Sequence, residues 1–173
     1  MARLRKLLYL IIALVVLYLL LHYLGFFGGA LEQVRSLDQE FRIGEDRLIP
    51  GERSELDEYE AGLRRIQPAN EQEGELIALK LELVGMQREF LSLAENSKRI
   101  NFSEPDCRPS GSVKLTEAAS ENALAHAERA LAKKDSVRGV TGFSHITNST
   151  FEETVGAAIE SLEATVVALK NIC

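Results

Sequence analysis

Tryptophan is absent from the 173 residues, and cysteine, histidine and proline number only two, three and four. Each shortage excludes something. Three of the four tyrosines, Tyr9, Tyr18 and Tyr23, fall in or beside one long apolar run. The rest of the chain keeps Tyr59 and five phenylalanines, too few for the stacking platforms of carbohydrate or nucleobase recognition. Two cysteines do not make a disulfide-held miniprotein, and residues 31–173 are chain enough for one domain with a hydrophobic core of its own. Positive charge is also scarce there. Arg3, Arg5 and Lys6 precede the run, which leaves 17 lysines and arginines against all 26 acids, a net of −9. Such a domain has no electrostatic reason to bind nucleic acid or anionic lipid. Glycine-rich phosphate cradles, a G-x-S-x-G elbow and an alternating calcium loop are all missing.

What the chain does have is the run itself. Leu7 to Ala30 contains no Asp, Glu, Lys or Arg, and its polar side chains are His22 and the three tyrosines. At about 1.5 Å per residue it is long enough to cross a hydrocarbon core of ~30 Å with some tilt. The basic residues before it and Glu32, Asp38, Glu40, Glu45 and Asp46 after it put the N-terminus in the cytoplasm and the C-terminal domain outside. Gly28 and Ala30 would suit a signal-peptidase cut, but the run exceeds a signal h-region of 7–15 residues, so length favours an uncleaved signal anchor. No cysteine follows the run, which excludes a lipoprotein anchor. His22 lies beside Tyr23, where an imidazole can snorkel to the headgroups. Gly25 and Gly29 form a G-x-x-x-G pair that would let two spans approach as a homodimer, or else give a flexible exit from the bilayer.

The remainder reads as helices. Phe27, Leu31, Val34, Leu37 and Phe41 continue at helical steps, so the span is expected to run into a first helix that ends at Ile43-Gly44. Ser54 is the expected cap of a second, with a seam of Leu56, Tyr59, Leu63 and Ile66 and a stop at Pro68. Asn70 and Glu73 are a capping pair for the longest helix. It carries two apolar stripes: Leu76, Leu79, Leu83, Met86, Phe90 and Leu93 on one line, Ile77, Leu81, Val84 and Leu91 beside it. A face that wide belongs at the centre of a bundle. Residues 101–114 hold two prolines and a glycine and form a loop. An alanine-rich helix over about 115–134 follows, then a long loop from Ser136 to Ser149, then a last helix with capping boxes at Ser149 or Thr150. The fold class is all-α: a single N-terminal transmembrane helix, then an extracytoplasmic bundle with an up-down-up core of three longer helices and one or two shorter ones. The expected division is a cytoplasmic tail 1–6, the span 7–30, a membrane-proximal helix and loop 31–52, and the bundle 53–173.

Helix order makes one geometric prediction. If the last three long helices run up, down and up, Cys107 and Cys173 share a pole and can form a disulfide in an oxidising compartment. Asn101-Phe102-Ser103 and Asn148-Ser149-Thr150 fit the N-glycosylation sequon and fall in loops outside the cytoplasm. The long loop carries Val140, Phe143 and Ile146 at steps of three. Either they fold back over the bundle, or they form a contact patch anchored by Phe143.

The chain carries no recognisable catalytic or ligating pattern. His126 has no ligand at i±3 or i±4, and His145 has no nucleophile motif. No catalytic, metal or cofactor residue is assigned. The expected role is a binding or structural component of a cell-envelope assembly, in contact with the bilayer and with another envelope protein. The alternative is a sensing bundle that binds a ligand on the wide face of the third helix and reports through its span; an envelope enzyme ranks last.

Overall fold

The computed structural model describes residues 14–16, 29–44 and 47–173. Five α-helices account for most of them: α1 (Ala30–Glu40), α2 (Arg53–Arg65), α3 (Glu71–Ser97), α4 (Ser112–Lys133) and α5 (Ser149–Ile172). Two 3-10 turns, Lys134–Val137 and Ser144–Ile146, lie between α4 and α5. No strand occurs among the described residues, so the domain is all-α. Among them, too, no helix is long and apolar enough to cross a membrane. The expected span, residues 7–30 with His22 and Gly25, lies outside the described residues except at 14–16, 29 and 30.

The helix boundaries follow local chemistry. Asn70 Oδ1 accepts the Glu73 amide at 2.9 Å, and Glu73 Oε2 accepts the Ala69 amide at 2.8 Å, so the expected pair does cap α3. Two other caps differ from expectation. Ser54 lies inside α2, because the Glu52 carbonyl already accepts the Leu56 amide and starts the helix earlier. Helix α5 is capped by Asn148, whose Oδ1 accepts the Phe151 amide at 2.8 Å, which leaves Ser149 in the first turn. Asparagine is among the preferred N-cap residues, and Asn148 lies one residue ahead of the expected boxes.

Cross-helix pairs give the directions. Arg53 meets Glu95 and Arg88 meets Asp57 and Glu60, so α2 and α3 are antiparallel. Glu75 meets Lys133 and Glu82 meets Arg129, so α4 returns along α3. Glu121 meets Lys170 and Lys134 meets Glu152, so α5 turns back again. Helix α1 runs against α2: Leu37 lies on Gly62, Asp38 on Tyr59, and beyond α1 Arg47 on Glu55. Close approach is allowed by small residues. Ala119, Ala123, Ala127 and Ala130 are buried on α4, and the His126 ring lies where a Gly85 side chain would be.

The same order creates two poles. At the far one, α3 ends, α4 begins and α5 ends. There Cys107 and Cys173 are joined, with Cα atoms 5.7 Å apart. At the near one, α3 begins, α4 ends and α5 begins. Val137, Val140, Phe143 and Ile146 of the long connection fold over it and are buried. The loop's apolar residues therefore cover the core and do not present a contact patch. Four apolar side chains spaced three apart on a glycine- and hydroxyl-rich segment gain more from burial than from water.

Candidate functional site

The densest chemistry lies under that near pole. Lys80 on α3 is fully buried, and its ammonium donates to both oxygens of Asp38 on α1, at 3.0 and 2.8 Å. Tyr59 on α2 is buried as well and donates its hydroxyl to Asp38 Oδ1 at 2.6 Å. The Lys80 ammonium lies 3.3 Å from that hydroxyl oxygen. The long connection closes the group: the Phe143 ring centroid is 5.5 Å from Lys80 Nζ, a cation–π distance. Phe41, just after α1, meets the Tyr59 ring edge-on at 5.4 Å. Four segments far apart in sequence thus converge on one ion pair.

The electrostatics follow from burial. Desolvation pulls the Lys80 ammonium below its usual pKa, and the facing Asp38 carboxylate opposes that. Burial pushes the Tyr59 phenol well above its usual value, and the Asp38 charge and hydrogen bond push it the same way. Tyr59 therefore stays a protonated donor throughout the physiological range. The arrangement binds α1 to the bundle.

A cleft of about 700 Å³ opens nearby. Leu48 and Ile49 form one wall, Met86 and Gln87 of α3 another, and His145, Asn148, Phe151 and Thr154 a third. None of its lining residues is an acid, a lysine or an arginine. His145 lies 6.2 Å, ring to ring, from Phe143.

The remaining residues singled out from sequence scatter. His126 Nδ1 lies 2.7 Å from Glu82 Oε2, and Arg129 donates to the same carboxylate at 2.9 Å. Burial alone would raise the Glu82 pKa, but hydrogen bonds from His126 and Arg129 outweigh it and hold the carboxyl below its usual range. Sequence spacing along α4 missed Glu82 because it comes from α3. Among the described residues no three His, Cys, Asp or Glu side chains are grouped to hold a metal ion. Asn101 is exposed at the far pole, whereas Asn148 is half-buried as the α5 cap. Gly29 precedes α1 with open space around it, and Gly25 lies outside the described residues. No family model, no curated protein and no solved structure matches the chain.

Proposed function

We propose that this chain is a single-pass membrane protein whose acidic helical bundle stands outside the cytoplasm as a binding or structural component of an envelope assembly. The observation that carries this reading is the Cys107–Cys173 disulfide. Such bonds persist in oxidising compartments, the side on which charge asymmetry about residues 7–30 would put the bundle. Helix α1, which follows the apolar run directly, is fastened to α3 by the Asp38–Lys80 pair and to α2 by the Tyr59–Asp38 hydrogen bond. That pair docks the bundle on the helix next to its anchor, which suits a contact component displayed at the membrane.

The test is a third cysteine at Gly51, which is exposed in the α1–α2 connection. In intact cells a membrane-impermeant maleimide should label Gly51→Cys without permeabilisation, and an impermeant lysine crosslinker should convert the protein into a defined heavier species. Labelling only after permeabilisation would reverse the topology. A protein that stays at its own mass through crosslinking would end the assembly role.

One observation favours a second reading. The cleft is partly lined by Met86, on the wide apolar face of α3, and its lining holds no acid, lysine or arginine. A ligand-binding bundle would take an uncharged molecule there.

A further inference from the structure

Two elements that meet at Lys80 also touch each other. Arg35 of α1 reaches the connection after α4: its guanidinium donates to the Thr141 carbonyl at 3.4 Å and lies against Gly142. A Cβ at Gly142 would come within 2.6 Å of that guanidinium, and the backbone there has φ +90°. One residue later Phe143 covers the Lys80 ammonium whose charge Asp38 of α1 balances. Beyond it, His145 and Asn148 line the cleft. A continuous set of contacts therefore runs from α1 through Asp38, Lys80, Phe143 and Arg35 to one wall of the cleft.

We propose that the Asp38–Lys80 pair is a latch that makes α1 and residues 138–148 dock and release as one unit, so that the state of the cleft is coupled to the helix next to the membrane anchor. The physical reason is the cost of intermediate states. If α1 leaves alone, Lys80 keeps its charge in a buried place with no carboxylate, which is among the costliest single losses a core can suffer. With Phe143 still over its ammonium the lysine is only partly rehydrated, and Arg35 loses the Thr141 carbonyl. Lifting the connection alone strips the ring from the pair and removes the Thr141 carbonyl from Arg35. Each departure thus favours the other. By linkage the effect is reciprocal: anything that holds the cleft wall in place holds α1, and anything that pulls α1 away loosens the wall. The membrane end of this coupling rests on the anchoring reading above; the coupling within the domain does not.

Hydrogen exchange of the full chain in detergent micelles, read peptide by peptide, tests it from both ends. Asp38→Asn removes the balancing charge from the α1 side. Exchange should rise together in residues 30–40 and 138–148, on the order of a hundredfold, while residues 160–170 beside the disulfide stay unchanged. Phe143→Leu perturbs from the loop side and keeps an apolar side chain, so the fold survives if Asp38→Asn does not. It should accelerate exchange in α1 as well as in the connection. A rise confined to the mutated segment in either variant, or an equal rise in every helix, overturns the latch. The labelling of Gly51→Cys in cells reads the topology independently, so a failure of the anchoring reading would not be mistaken for a failure of the coupling.

Discussion

At the residue scale the buried pair sets the largest expected effects. Asp38→Ala leaves the Lys80 charge unbalanced and should cost about 3–5 kcal/mol in a denaturant titration. The double variant Asp38→Leu with Lys80→Met removes both charges and should recover most of that loss, because apolar replacements of a buried pair are often neutral or stabilising. If the double variant is as unstable as the single one, packing and not charge holds α1. On the surface, sign decides the pH behaviour. Glu60 is pushed up by burial, yet hydrogen bonds from Arg88 and Arg64 prevail and hold it, like Glu82, below the usual glutamate range. A carboxyl whose folded pKa is depressed contributes stability that is present above its unfolded pKa and is lost as pH falls through the folded value. Stability should therefore decline below about pH 4.5, and Glu82→Gln should flatten part of that decline in urea titrations run at stepped pH. Asp106 offers a cleaner reading. The Arg108 side chain and amide hydrogen-bond it and hold it at about 2. Its carboxyl carbon resonance should titrate near that value and move back toward 3.8 in Arg108→Ala.

At the element scale, helix identity was legible wherever burial repeats with the helical period. Leu56, Tyr59, Leu63 and Ile66 were read as a seam and are all buried. The up-down-up order of α3, α4 and α5 was legible too, and it brought Cys107 to Cys173. The ion pair is hidden from composition, because lysine and aspartate usually face solvent. A signal existed. Lys80 lies four residues after Leu76 and three before Leu83, inside the apolar face of α3, and Asp38 lies four after Val34, inside that of α1. One cation and one anion, each within an apolar stripe of a different helix, are the mark of a buried pair. The cleft had no such signal, since its walls come from three separated segments. Element packing yields two predictions. Phe143→Ala should cost about 3–5 kcal/mol in thermal or urea unfolding, the range for a buried aromatic. Gly85→Ala would put a methyl 2.3 Å from the His126 ring, so α3 and α4 must part or the ring must leave Glu82. Overpacking of this kind should cost about 1–3 kcal/mol, with a change in the His126 ring resonances.

At the scale of the whole molecule, the two poles differ in kind. The near pole is held by charge, ring and loop, and the far pole by a covalent bond. The disulfide closes a separation of 66 residues, for which loop-closure entropy gives an upper figure of about 4 kcal/mol. Replacing both cysteines by serine should lower stability by up to that amount and leave α1 docking intact, as read by exchange in residues 30–40. The bond also has a mechanical consequence. If residue 29 is held by a membrane and residue 173 by something beyond it, tension cannot pass through residues 107–173, because the disulfide carries it directly from Cys107 to Cys173. Helices α4 and α5 are thus bypassed, and stretching draws only on α1, α2, α3 and their connections. Reduction would put α4 and α5 in the load path, and their unfolding would add up to roughly 220 Å, at about 3.3–3.6 Å per residue, to the same tether. Under load, the redox state of one bond would set how far this molecule reaches.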